Sequence, residues 1–137
     1  MVDDCIFCKI IAGDIPSSKV YEDEEVLAFL DISQVTPGHT LVVPKKHARN
    51  LLEMDETATA QLFARVSKVA KKVETATQAK GMNIISNMEE VSGQTVFHTH
   101  VHIIPRYSDQ DELAISFTEH DPNFEQLAVL AETIKNS

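Results

Sequence analysis

Two short stretches carry the residues best suited to chemistry. The run HTHVHIIPR, positions 98–106, sets His98, His100 and His102 at alternate positions, half of the six histidines in the chain. Imidazole changes charge near neutral pH, coordinates metals, and serves as nucleophile or as acid and base. On a strand, alternate side chains share a face, so the three rings would stand in a row roughly 6.5–7 Å apart. A row spreads them along a line rather than around one ion. Catalysis by at least one of them is therefore favoured over a three-histidine metal site or a solvent-facing row. Gly93, Gln94 and Thr95 come just before. The glycine lets the backbone approach a ligand closely, and the amide and hydroxyl can meet an anion. The second stretch is Cys5-Ile6-Phe7-Cys8. A C-x-x-C alone fits a redox pair, inert thiols or half of a metal site, and no βαβ pattern surrounds it.

These residues need a scaffold. Residues 19–31 (KVYEDEEVLAFLD) predict two short strands around the acidic turn Glu22–Glu25, the second an apolar run, Val26–Leu30. Thr36-Pro37-Gly38 is a turn signal before a strand from His39 to Pro44. From Asp55 to about Lys80, Ala58, Leu62, Val66, Val69, Val73 and Ala76 recur every three or four residues. That is an amphipathic helix, with Asp55 as N-cap and Gly81 as its stop. Met82–Asn87 predicts a strand, Glu89–Gln94 a loop, and Val96–Pro105 the strand carrying the histidines. After a polar stretch, 106–120, Asp121-Pro122 reads as the start of a short C-terminal helix with Phe124, Leu127, Leu130, Ala131 and Ile134 on one side. Short connections favour antiparallel pairing. The expectation is a single α+β domain over 1–137: an antiparallel five-stranded sheet, one long helix and a short C-terminal helix, with the helices on one face.

Composition narrows the partners. The chain has 137 residues, 43% of them hydrophobic, enough for a core. No apolar run reaches the ~18 residues of a membrane span. The opening MVDDCIFCKII has acids where a signal peptide carries basic residues. Both point to a soluble, cytoplasmic protein with no membrane partner. A net charge of −9 opposes binding to nucleic-acid polymers but leaves room for a single nucleotide in a local site. Two cysteines three residues apart make no disulfide framework.

The stretch Gly93–Ile104 resembles the signature of the histidine-triad (HIT) superfamily, in its branch of histidine-triad nucleotide-binding proteins. The resemblance extends over about residues 5–106 and includes CIFCKIIAGDIPSSKVYEDEEVLAFLDISQVTPGHTLVVPKKH. One departure is Thr99, where the family usually has an apolar residue. Threonine suits a strand, and no functional consequence is expected.

The resemblance implies hydrolysis or nucleotidyl transfer at the α-phosphorus of purine nucleotide derivatives. His100 would attack phosphorus, forming a transient nucleotidyl-histidine that water cleaves. His102 would contact phosphate oxygens near the leaving group, and Gln94 and Thr95 would hold phosphate oxygens. Asp31 matches the ribose-binding aspartate, Phe7, Ile10, Phe29 and Ile32 the purine pocket, and Asn87 a residue near phosphate and sugar. Cys5, Cys8, His47 and His98 match a Cys2His2 structural zinc site of bacterial relatives. No catalytic metal is expected, and members are usually homodimers whose sheets join edge to edge. His39 is assigned a structural use, and Lys45, Lys46 and Arg49 a solvated basic cluster. Two other readings remain: a metal-dependent hydrolase with the three histidines as ligands, and a nucleotide-binding scaffold with vestigial catalysis.

Overall fold

The computed structural model describes residues 3–137. Five strands form one antiparallel sheet: β1 (Lys19–Glu22), β2 (Val26–Leu30), β3 (Thr40–Pro44), β4 (Gly81–Ile85) and β5 (Val101–Arg106). Their spatial order is β1-β2-β3-β5-β4. Strand alternation divides the sheet's side chains between two cores. Val26, Ala28, Val42, Val101 and Ile103 face α2 (Glu56–Thr77) and pack on its buried stripe of Leu62, Val66, Val69 and Val73. Leu27, Phe29, Leu41 and Val43 face the other way. They pack on α1 (Ile6–Ala12) through Phe7, Cys8 and Ile10. Each fully buried Leu or Ile contributes about 1.5–3 kcal/mol, so both layers hold the sheet.

The expected sheet, long helix and C-terminal helix are all present, with four differences. First, α1 was not expected. Seven residues are too few to show a period, and its N-cap is unusual: the Cys5 thiol accepts from the Cys8 N–H at 3.3 Å. Gly13, at φ 85°, closes it. With α1 on the second face, the helices do not share one side of the sheet. Second, α2 stops at Gln78, which takes the left-handed conformation (φ 57°) and whose N–H returns to Glu74 O. Gly81 is instead the first residue of β4, paired with Arg106.

Third, α3 (Phe124–Lys135) is capped by Asn123, whose side chain accepts from Gln126 N–H, so Asp121 and Pro122 lie outside it. The helix is exposed along its length and packs on neither face of the sheet. Fourth, β5 begins at Val101, not Val96. The β3–β5 ladder runs Thr40↔Ile103, Leu41↔His102 and Val42↔Val101. Continuing that register would set Thr99 against Pro44, which has no N–H to offer. Thr99 N–H bonds to Ala48 O instead, and residues 97–100 leave the ladder.

Candidate active site

The break in the ladder decides what each histidine does. A ring nitrogen beside a carbonyl must carry hydrogen, and one beside a backbone N–H must not. His98 is wholly buried, and its Nε2 lies 2.8 Å from Pro44 O. Nε2 therefore donates, and Nδ1 offers a lone pair. Burial, aided by its neighbours His47 and His100, lowers its pKa to about 4, so the ring is neutral at pH 7. Because residue 98 is outside the ladder, its own carbonyl is free. It accepts from His100 Nδ1 at 2.7 Å. His100 is thus the Nδ1–H tautomer, with an unshared pair on Nε2. It too is buried, and burial lowers its pKa. Phe7 stands edge-on to both rings, at 5.9 Å from His98 and 5.1 Å from His100.

His102 is the only one of the three inside the strand. Its ring centroid is 5.1 Å from that of His100, closer than an even strand spacing. Burial, with His100 and His39 nearby, takes its pKa to about 4. Its Nδ1 lies 2.9 Å from His39 Nε2. His39 is 3% exposed. Its Nε2 also lies 3.5 Å from Asp31 Oδ2, and its Nδ1 accepts from Val35 N–H at 3.3 Å. Sequence reasoning gave His39 no place in the site. The link appears only in the structure, where the register sets Leu41, two residues after His39, opposite His102.

The first histidine joins a second cluster. His98 Nδ1 lies 3.3 Å from Cys5 Sγ, 3.5 Å from Cys8 Sγ and 3.1 Å from His47 Nδ1. Cys8 Sγ lies 3.4 Å from His47 Nδ1. All four donor atoms fall within 4.8 Å of one another. Tetrahedral zinc with ordinary Zn–S and Zn–N bonds needs donor separations of roughly 3.3–3.8 Å. Two soft sulfurs and two imidazole nitrogens at this spacing fit that ion. Cys5, at the cap of α1, is buried, and burial raises its pKa.

The remaining expected residues divide. Asp31 Oδ1 accepts from Ser33 N–H at 2.7 Å, which fixes the carboxylate and leaves Oδ2 toward His39. A cavity of about 520 Å³ lies beside it, lined by Pro16, Ser17, Leu30, Asp31 and Ile32. Ile32 is fully exposed there, an apolar side chain available to a ligand. Phe7, Ile10 and Phe29 are buried core residues of the α1 layer. Phe7 stands edge-on to Phe29, with ring centroids 5.6 Å apart, which ties this layer to the histidines. Thr95 is exposed on another cavity of about 520 Å³, beside Cys5, His47 and Arg49.

Gln94 corrects an expectation. Its amide donates to Arg49 O and Val96 O and accepts from Glu89 N–H and Asn50 Nδ2. At 3% exposure, with both ends spent on the backbone and a neighbour, it cannot also hold a phosphate oxygen in this arrangement. It braces the loop instead. In the basic cluster Lys46 and Arg49 are exposed as expected, and Lys45 is half-buried. Arg49 forks onto Glu89 at 2.7 and 2.8 Å, and Lys45 pairs with Glu22 at 2.8 Å. Gly93, at φ 108°, occupies a conformation favouring glycine, and a Cβ there would meet Asn87 Nδ2 at 3.3 Å. Gly93 and Asn87 thus adjoin. A larger cavity, about 780 Å³, lies at Val20, Leu30, Val73 and Ala76 on the α2 side. It contains none of the histidines, so volume does not locate the chemistry.

A family model described as HIT domain matches residues 12–109. Protein hit of Bacillus subtilis (strain 168) is 52% identical over 122 residues, 89% of this chain and 84% of that protein. Adenosine 5'-monophosphoramidase hnt1 of Schizosaccharomyces pombe is 36% identical over 132 residues, 96% of each. The crystal structure of SMU.412c from Streptococcus mutans UA159 superposes with a TM-score of 0.96 at 61% identity. It covers 99% of this chain and 86% of that one.

Proposed function

The chain belongs to the HIT domain family, and from that premise we propose that it is a nucleotide phosphoramidate hydrolase or nucleotidyl transferase. It attacks the α-phosphorus of purine nucleotide derivatives and releases a nucleoside monophosphate. The observation carrying this reading is the His100 tautomer: Nδ1–H is held by His98 O at 2.7 Å, leaving the Nε2 pair for phosphorus. The Nε2–P bond forms as the bond to the leaving amine or phosphate breaks, and the leaving group departs with the bonding pair and takes its proton from solvent. Water then attacks phosphorus and gives up a proton to solvent, the P–Nε2 bond breaks with its pair returning to nitrogen, and neutral His100 returns. Relatives support the class, since hnt1 of fission yeast is an adenosine 5'-monophosphoramidase.

The other groups take roles around this centre. His102 donates to a phosphate oxygen as charge builds, with the Thr95 hydroxyl and the backbone at Gly93 beside Asn87. Asp31 accepts from the ribose hydroxyls, and exposed Ile32 covers the base. Cys5, Cys8, His47 and His98 hold one structural zinc, which contributes no step. A shared three-histidine metal is disfavoured, because His98 Nδ1 points at the cysteines while His100 Nδ1 is bound to a carbonyl. In this proposal the protein is cytoplasmic, where two unpaired thiols stay reduced, and it is a homodimer. Among the described residues no helix is long and apolar enough to cross a membrane. Support for the dimer comes from the apolar side of α3, where Phe124, Leu127, Leu130 and Ile134 are all more than half exposed on a single chain.

The test uses adenosine 5'-phosphoramidate, with and without chelator, on the wild type and His100→Ala. The expected result is hydrolysis that needs no added metal and falls by about 10³-fold or more in the variant. Equal hydrolysis by the two proteins removes His100 as nucleophile.

A further inference from the structure

We infer that His39 is a positioning residue that locks His102 in its Nε2–H tautomer, making it a fixed hydrogen-bond donor. The inference deepens the proposed function, because it rests on that reading for what His102 donates to. The tautomer itself follows from geometry alone.

The argument begins in the backbone. Val35 N–H can only donate, and it donates to His39 Nδ1 at 3.3 Å. Neutral His39 therefore carries its hydrogen on Nε2. Asp31 Oδ2, 3.5 Å from that nitrogen, is compatible with the same placement. One hydrogen stands between His39 Nε2 and His102 Nδ1, 2.9 Å apart, and it belongs to His39. His102 Nδ1 accepts, so its own hydrogen is on Nε2, on the far side of the ring.

The turn holding Val35 is itself fastened to the strand it controls. Thr36 Oγ1 donates to Pro105 O at 2.6 Å, three residues from His102 on β5. Gln34 Nε2 donates to His39 O at 2.7 Å, and Gly38 N–H to Gln34 Oε1 at 2.8 Å. Gly38 has φ 96°, and a Cβ there would lie 3.0 Å from Thr77 Cγ2 and 3.2 Å from Pro105 Cγ. The turn is thus wedged between α2 and β5, and His39 with it. Burial holds the His39 ring neutral, with Asp31 opposing that shift.

The same three donor atoms, from Asp31, His39 and His102, lie within 4.8 Å and invite comparison with a metal site. A metal on His39 Nε2 would need that nitrogen's lone pair. The ring hydrogen would then move to Nδ1, against the Val35 N–H. The donor's direction favours the hydrogen-bonded pair over the metal.

The chain of donors divides labour between neighbouring imidazoles. His100 keeps a bare Nε2 because a carbonyl holds its Nδ1–H. His102, two residues on, keeps a hydrogenated Nε2 because His39 fills its Nδ1. One ring can attack phosphorus while the next can only donate to its oxygens.

The test is ¹⁵N–¹H long-range NMR on the zinc-loaded protein at neutral pH, paired with kcat and KM on adenosine 5'-phosphoramidate. Wild-type His102 is expected as the Nε2–H tautomer. His39→Gln keeps an N–H donor at that place and is expected to keep both the tautomer and most of kcat. His39→Glu offers an acceptor. It is expected to move the His102 hydrogen to Nδ1 and to lower kcat by about 10²-fold, with less change in KM. A wild-type His102 in the Nδ1–H form overturns the inference, as does an equal loss of kcat in the two variants with the tautomer unmoved. Should His39→Glu not fold, the wild-type and Gln spectra still decide. If the wild type hydrolyses no phosphoramidate, the functional reading fails, while the tautomer is measured without substrate and stands or falls separately.

Discussion

Removing metal from the Cys5–Cys8–His47–His98 site is expected to cost stability and turnover together. Stability falls because the ion binds the folded chain, where four donors already converge within 4.8 Å. At free zinc a thousandfold above its dissociation constant, binding stabilises by about 4 kcal/mol. For a chain of this length, 1 kcal/mol moves Tm by roughly 3–5 °C, so stripping the ion lowers Tm by about 12–20 °C. Turnover falls for a different reason. His98 is held at three places: Nδ1 in the cluster, Nε2 on Pro44 O, and its carbonyl on His100 Nδ1. Releasing Nδ1 loosens the carbonyl that sets the tautomer of His100, the proposed nucleophile. The assay is metal content of protein purified without added zinc, then thermal unfolding and kcat before stripping, after stripping and after restoring zinc. Cys8→Ser serves as the chronic case. About one equivalent per chain is expected in the wild type. Less than a tenth of an equivalent of any metal refutes the zinc assignment. Unchanged kcat in verified metal-free protein, assayed well below its Tm, refutes the coupling through His98.

Two further outcomes concern the sugar site and the dimer. Asp31→Asn keeps the Oδ1 acceptor for Ser33 N–H but removes the charge. Losing a charged hydrogen-bond partner for the ribose is worth about 1.5–3 kcal/mol, so KM for the phosphoramidate is expected to rise about 10–150-fold, and an unchanged KM removes Asp31 from the sugar site. The 15.2 kDa chain is expected to sediment at twice that mass at micromolar concentration. Leu127→Glu with Leu130→Glu, both on the exposed side of α3, is expected to shift it to the monomer; wild type sedimenting as a monomer refutes the dimer.

Periodicity exposed the scaffold wherever an element was long enough to show it. The stripe Leu62–Val66–Val69–Val73 specified α2 and its buried face, the apolar run Val26–Leu30 specified a strand covered on both sides, and the turn at Thr36-Pro37-Gly38 announced the strand expected at His39–Pro44 and found at Thr40–Pro44. Seven-residue α1 escaped, since its cap is a thiol and its period is too short to count. The stop of α2 was misplaced because Gln78 adopts the conformation usually left to glycine. For the site, the residue types were legible, but their hydrogen-bond partners were not. Gln94 looked like an anion ligand because a sequence cannot show that Arg49 O, Val96 O, Glu89 N–H and Asn50 will consume its amide. His39 looked structural because its partner, His102, is 63 residues away.

The position of the strand break explains why three identical side chains need not act alike. Had β5 begun at Val96, the His98 carbonyl would have been committed to a neighbouring strand or the sheet edge, and no local group would distinguish the two nitrogens of His100. Pro44 prevents this, since the register would ask it for an N–H it lacks. The consequence is twofold. Pro44 O is left to take His98 Nε2–H, which aims Nδ1 at the two thiols and His47. His98 O is left to take His100 Nδ1–H, which leaves the lone pair on Nε2. His102, back inside the ladder, receives its direction from a side chain instead, and that side chain from Val35 N–H. In each case the direction traces to a backbone group. Backbone carbonyls and amides neither titrate nor exchange donor for acceptor near neutral pH. The tautomer of each neutral ring is therefore set by a group that does not itself titrate near neutral pH.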